Sequence, residues 1–256
     1  MSIWEAIIFG IVEGVTEFLP VSSTGHLILT AQILKSTQTE FLKSFEIIIQ
    51  LGAMLSIVVL YGKSLLRSVE VWKRIMIAFI PTGLIGFLLY KFVKSVLLEN
   101  HHIVLWALFL GGLFLVIFDS LHKEDKTSVD EIVKMPYRTA VMIGVFQSVA
   151  MVPGVSRSAA TIIGGLICGL KRKTIVEFSF LLALPTMTAT TGLDLLQNAQ
   201  SFTTGEFVVL GVGFVVSFLV AILSVKFLIR FIQQNNFISF GIYRMLLPVF
   251  WWIFGK

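Results

Sequence analysis

Apolar stretches recur ten times between Ile3 and Phe254, and polar residues collect in the short gaps between them. Their approximate limits are 3–19, 23–34, 45–62, 74–92, 102–119, 138–152, 157–170, 175–193, 206–229 and 237–254. Six of these, the third to fifth and the eighth to tenth, are long enough to cross a bilayer, for which about 20 apolar residues suffice. The other four are short and come as two pairs. Each pair is split by a proline-containing polar turn, Leu19-Pro20-Val21-Ser22-Ser23-Thr24 in the first and Val152-Pro153-Gly154-Val155-Ser156-Arg157-Ser158 in the second. Two short helices with a polar break between them predict a re-entrant hairpin that enters the bilayer and returns to the same side. Non-helical backbone at that depth is tolerated only inside protein or against a water-filled cavity.

The two pairs resemble copies of each other. A shift of 134 residues lays Gly10 on Gly144, Glu13 on Gln147, Val15 on Val149 and Val21-Ser22 on Val155-Ser156, with Ser23 on Arg157 and Thr24 on Ser158. One hairpin and three full crossings in each copy make an odd number of crossings per half. The second half, 137–256, is therefore expected to be inverted relative to the first, 1–119, with a linker at 120–136. The expected fold is an all-α polytopic membrane protein with inverted-topology repeats, six full transmembrane helices and two re-entrant helix pairs. Broken helices meeting at the midplane in such repeats are a transporter-like architecture.

Composition agrees. Of 256 residues, 56% are hydrophobic and 14% are charged, against about 25% charged in a soluble domain. This excludes a soluble globule, a disordered chain and a nucleic-acid binder. The net charge of +5 reflects loop residues. Lys35, Lys43, Lys91, Lys94 and Lys256 fall on one predicted side. Lys63, Arg67, Lys73, Arg74, Lys123, Lys126, Lys134, Arg138, Lys171, Arg172, Lys173, Lys226 and Arg230 fall on the other. The richer side is cytoplasmic by the positive-inside rule, which puts both termini outside. The start Met1-Ser2-Ile3-Trp4-Glu5 lacks the basic region of a removable signal peptide. The single cysteine, Cys168, offers neither a disulfide framework nor a cysteine metal site.

Ionisable residues inside apolar segments are costly and mark function by default. The candidates are Glu13, Glu17, His26, Glu46, Arg157, Asp194 and Arg244, whereas Asp119, Glu177 and Glu206 are expected to reach interface water. Glu13 and Glu17 are four apart and share a helix face, where their mutual repulsion calls for a proton, a cation or an arginine. A hard divalent ion suits two carboxylates plus phosphate oxygens, and an ion pair with Arg157 or Arg244 is the structural alternative. Ser22, Ser23 and Thr24 open a helix, where they can cap it or help its free N–H groups bind an anion. His26 follows Ser22 by four residues and can share its face as a proton carrier. Arg157, between Ser156 and Ser158 and one turn before Thr161, sits at the second helix start, where a guanidinium can grip phosphate through two parallel hydrogen bonds. Glu46 and Gln50 share a face and could line the same cavity. Arg244 is expected to reach the interface or pair with an acid.

At these breaks the sequence closely resembles a known family. The run Glu13-Gly14-Val15-Thr16-Glu17-Phe18-Leu19-Pro20-Val21-Ser22-Ser23-Thr24-Gly25-His26 is similar to the first signature of the bacitracin-resistance type undecaprenyl-diphosphate phosphatases. The run Pro153-Gly154-Val155-Ser156-Arg157-Ser158-Ala159-Ala160-Thr161 is similar to the second, departing at Ala159, where members usually carry glycine. The likeness extends over the whole chain, including Phe45 to Gly52 and Phe178 to Pro185. It implies a bacterial inner-membrane enzyme that removes the terminal phosphate of undecaprenyl diphosphate, depends on Mg²⁺ or Ca²⁺, confers bacitracin resistance and opens its site to the outer face.

By motif match the site positions are Glu13, Glu17, Ser22, Ser23, His26, Ser156, Arg157 and Thr161. In the expected chemistry Glu13 and Glu17 hold the metal. Ser22, Thr24, Ser156, Arg157, Ser158 and Thr161 bind phosphate. Glu17, Ser23, His26 and Arg157 catalyse, with Ser23 the candidate nucleophile and His26 its proton carrier, or with a water attacking directly. Undecaprenyl diphosphate and membrane lipids are the expected partners, nucleic acid is not, and a homodimer is left open. The rival class is a transporter or flippase for a lipid phosphate or small anion.

Overall fold

A computed structural model describes residues 1–92, 101–125, 128–198 and 202–255. Lys94, Lys126 and Lys256 of the charge argument lie outside them. All ten predicted segments form helices: α1 (Ile3–Thr16), α2 (Ser23–Ile33), α3 (Glu40–Arg67), α4 (Val69–Phe92), α5 (His101–Leu121), α6 (Tyr137–Ser148), α7 (Arg157–Ile167), α8 (Arg172–Asn198), α9 (Thr204–Phe231) and α10 (Ile238–Phe254). Single 3-10 turns follow at Ile132–Lys134 and Val149–Met151, and no strand forms among the described residues. Five described helices, α3, α4, α5, α8 and α9, are long and apolar enough to cross a membrane. The sixth expected span, α10, has 17 residues, about 26 Å at 1.5 Å per residue, shorter than a hydrocarbon core of about 30 Å.

The helices start and stop for local reasons. Ser2 and Glu5 close a capping box on α1, as Thr203 and Glu206 do on α9, so Glu206 has a capping role. Thr39 caps α3 by accepting from the Leu42 amide. The helices overrun several apolar limits: α3 begins five residues before Phe45, and only Ser68 separates it from α4. Charged residues end an apolar stretch without ending a helix.

The 134-residue shift reappears as structure. Ser23 and Arg157, which open α2 and α7, are related by it, and both helices have 11 residues. α1 packs along α9, and α6 packs along α4, so each hairpin is clasped by a helix of the opposite half. The approach is close both times. A Cβ on Gly10 would lie 2.7 Å from the Gly213 carbonyl oxygen, and one on Gly144 would strike the Ala78 carbonyl. Small residues at such crossings let helix backbones meet where no hydrophobic force drives them together.

Asp119 departs from expectation. Its side chain is fully buried, ion-paired to Arg172 at 2.6 Å, and it accepts from the Phe237 amide at 2.6 Å. It joins the ends of α5, α8 and α10 and does not face water. The linker is tied down beside it: Val129 pairs with Leu170, and Thr174 donates to the Asp130 carbonyl.

Candidate functional site

The two breaks face one another across a cavity of about 150 Å³. Its polar lining includes Glu17, Ser22, Ser23 and Thr24 from the first break, Ser156 and Arg157 from the second, and Gln50, Thr82, Gln147 and Thr186 from the surrounding helices. Ala150, Met151, Pro153 and Met187 supply an apolar side.

Both breaks share one unusual backbone feature. Ser22 (φ 71°) and Ser156 (φ 74°) are the N-caps of α2 and α7, and they are non-glycine residues at positive φ. Such conformations cost on the order of 1–3 kcal/mol and persist only where the surroundings impose them. Each serine Oγ accepts from the amide three residues on, Gly25 at 3.4 Å and Ala159 at 3.2 Å. The amides of Ser23 and Thr24, and of Arg157 and Ser158, belong to first turns and have no intrahelical acceptor. Two positive helix ends thus meet at the cavity, an arrangement suited to an anion.

Glu17 is the hub. Its Oε2 accepts from Ser23 Oγ at 2.5 Å and its Oε1 from Arg157 Nη2 at 2.8 Å. Arg157 Nη1 donates to the Ser179 carbonyl at 2.8 Å, while its Nε is buried with no acceptor. The guanidinium lacks one oxygen, which a phosphate could supply.

Other expected site residues lie elsewhere. His26 does not face the cavity. Its Nδ1 contacts the Ser22 carbonyl oxygen at 2.8 Å, and its Nε2 contacts the Tyr243 hydroxyl at 2.7 Å, with the two rings stacked. Both ring nitrogens are engaged away from Ser23, because the helix turn that brings His26 onto the face of Ser22 points it toward α10. Ser158 Oγ donates to the Leu19 carbonyl at 2.8 Å, and Thr161 Oγ1 lies 2.6 Å from Ser179 Oγ. Both brace the hairpins behind the cavity. Arg244 is fully buried, donates to backbone carbonyls and forms no salt bridge among the described residues, so it meets neither expectation.

Glu13 lies behind Glu17. Both its oxygens are buried without a hydrogen-bond donor, and the Glu17 carboxyl lies beside them. An orphaned buried carboxylate beside a second one fits a hard cation that keeps part of its shell for water and phosphate oxygens. Among the described residues no group of three or more His, Cys, Asp or Glu is placed to hold a metal, so a metal here needs oxygens from substrate or water.

Thr82, Thr186, Ser179 and Tyr243 escaped the sequence reading. Thr82 and Thr186 each directly follow a proline inside an apolar helix, Pro81 in α4 and Pro185 in α8. Proline frees a backbone carbonyl in mid-helix, so a Pro-Thr pair within a span was the available signal. Both threonines meet Gln147, whose Nε2 donates to Thr82 Oγ1 at 2.8 Å and Thr186 Oγ1 at 3.5 Å.

The family model described as "Bacitracin resistance protein BacA" matches residues 6–250. The chain belongs to this family. Among curated relatives, the undecaprenyl-diphosphatase of Aquifex aeolicus is 52% identical over 96% of this chain and 96% of its own. That of Persephonella marina is 51% identical over 99% of each, and that of Wolinella succinogenes is 49% identical over 97% of this chain and 96% of its own. The family match spans both breaks of this multi-pass membrane protein.

Proposed function

We propose that this BacA-family protein hydrolyses undecaprenyl diphosphate to undecaprenyl phosphate and inorganic phosphate, recycling the lipid carrier of cell-wall synthesis and conferring bacitracin resistance. The observation that carries the reading is the double engagement of Glu17 by the Ser23 hydroxyl and the Arg157 guanidinium, at the wall of a phosphate-sized cavity. The names of close, full-length relatives support it, and disfavour the transporter reading.

The chemistry starts from that hub. The terminal phosphate enters between the two helix N-termini, and Arg157 turns toward it. Glu17 Oε1 is then released, and the carboxylate is left to take the Ser23 proton through Oε2. Ser23 Oγ attacks phosphorus and the bond to the bridging oxygen breaks, freeing the lipid monophosphate. Glu17 passes the proton to the departing lipid monophosphate, then takes one from the water that cleaves the phosphoserine and returns it to Ser23 Oγ as phosphate leaves. Arg157 and the amides of the two first turns stabilise charge on the equatorial oxygens. Glu17 replaces His26 as proton acceptor, because Glu17 touches Ser23 and His26 does not. A divalent cation, Mg²⁺ or Ca²⁺, held by Glu13 and Glu17 would offset the charge of the diphosphate.

The inverted arrangement of the halves, a bacterial inner-membrane location and access from the outer face belong to the same proposal. They are supported by the odd number of expected crossings per half and by the basic residues on one side. The deciding experiment is phosphate release from undecaprenyl diphosphate by purified protein, with Mg²⁺, Ca²⁺ or chelator, and with Arg157→Ala and Glu17→Ala. Metal-dependent release lost in both variants is expected. Folded wild-type protein that releases no phosphate from any lipid diphosphate would overturn the reading.

A further inference from the structure

Arg244 is a fully buried guanidinium outside the cavity lining, and among the described residues no carboxylate forms a salt bridge with it. Its acceptors are backbone carbonyls, three at the two breaks and one, Ala107, within α5. Nη1 donates to Pro20 at 3.3 Å, and Nη2 donates to Gly154 at 2.9 Å, Val155 at 3.0 Å and Ala107 at 3.3 Å. Carbonyls at interrupted helices lack their intrahelical partners, and in a membrane interior something in the protein must replace them. One side chain does so for both hairpins.

Room for it is built into α5. A Cβ on Gly111 would strike Arg244 Nη2, and one on Gly112 would lie 2.8 Å from Arg244 Cβ. The position 134 residues earlier is Leu110, so the repeat supplies no second copy of this tie.

On the cavity side the breaks are joined by the Arg157–Glu17 pair. That pair must open if Arg157 turns to a phosphate, leaving the hairpins linked from behind. We propose that Arg244 is a positioning residue for phosphoryl transfer: together with the Ser158–Leu19 hydrogen bond, its guanidinium fastens the two breaks to each other and keeps Ser23 and Glu17 aligned with Arg157 while Arg157 holds substrate. This rests on the reading of the cavity as the phosphate site. Tyr243, the preceding residue, fixes the first break a second time through His26 and the Ser22 carbonyl, so α10 works on the site without entering it.

The test uses the full chain in detergent, with Arg244→Lys, Arg244→Met and Gly111→Ala. Lysine keeps the charge, but one ammonium cannot span the carbonyls of both breaks. The expected result is variants that melt above the assay temperature yet lose about 100-fold in kcat, the scale of a misalignment near 1 Å, with KM close to wild type. Gly111→Ala, which keeps the arginine but displaces it, should fall between. Folded Arg244→Lys and Arg244→Met with wild-type kcat would overturn the proposal.

A second readout needs no turnover. Spin labels at Ile33→Cys and Ile167→Cys, exposed at the ends of α2 and α7, are placed in a Cys168→Ser background and measured with and without inorganic pyrophosphate. Arg244→Met should broaden the distance distribution, most with pyrophosphate. An unchanged width would sink the tie even if the protein hydrolyses lipid diphosphate. Broadening in a protein without phosphatase activity would keep the tie and discard the phosphatase reading.

Discussion

Ser23 Oγ donates a 2.5 Å hydrogen bond to Glu17 Oε2 across the first break, so the proposed nucleophile and the proposed proton acceptor lie on opposite sides of one turn. Neither is useful without the other. Ser23→Ala and Glu17→Gln should each lower kcat by about 10²–10⁴-fold, and the double variant should be little worse than the poorer single one, as for residues that act as a unit. Steady-state phosphate release from the three purified variants measures this. Multiplicative losses would mean that the two residues act in separate steps. Rapid-quench trapping of phosphoserine at Ser23 would distinguish serine attack from direct attack by water.

The positions of the breaks were legible because polar, proline-containing runs stand out in a chain that is 56% hydrophobic. Side-chain partners were not. Periodicity put His26 on the face of Ser22 correctly, but the ring's second partner, Tyr243, lies 217 residues away. Asp119 looked like an interface residue because it ends an apolar stretch, yet the Arg172 that buries it comes from the other half. Arg244 was assigned to the interface or an acid because a lone membrane arginine ordinarily needs one or the other. Unpaired carbonyls at two breaks serve instead, and only the tertiary structure brings them to one place.

Glu13 has two buried oxygens without a partner beside Glu17, which is tolerable if a cation is shared between them. Glu13→Gln removes a charge without removing volume. The Mg²⁺ or Ca²⁺ concentration for half-maximal phosphate release should then rise by about tenfold or more, while KM measured at saturating metal changes little. An unshifted metal titration would remove Glu13 from the metal site.

His26 and Tyr243 form a stacked, hydrogen-bonded pair against the Ser22 carbonyl. If the pair holds the strained backbone that presents Ser23, Tyr243→Phe should reduce kcat in the same direction as His26→Asn, and the double variant should add little to His26→Asn. The pH dependence of kcat should keep its shape in Tyr243→Phe. A full loss of activity in His26→Asn beside a wild-type Tyr243→Phe would return His26 to direct proton transfer.

The clasp of each hairpin by the opposite half predicts opposite stability effects for one kind of substitution. Gly211 lies in α9 with nothing near where a Cβ would go, whereas Gly144 lies against the Ala78 carbonyl of α4. In an open helical position alanine is favoured over glycine by about 1 kcal/mol, so Gly211→Ala should raise the melting temperature in detergent or leave it unchanged. At Gly144 the added methyl meets backbone, which cannot rotate away, so α4 and α6 must separate. Gly144→Ala should lower the melting temperature, and because α6 leads into the second break, it should also lower kcat in the protein that remains folded. Loss of stability with full retention of kcat would show that the α4–α6 spacing is independent of where Arg157 is held.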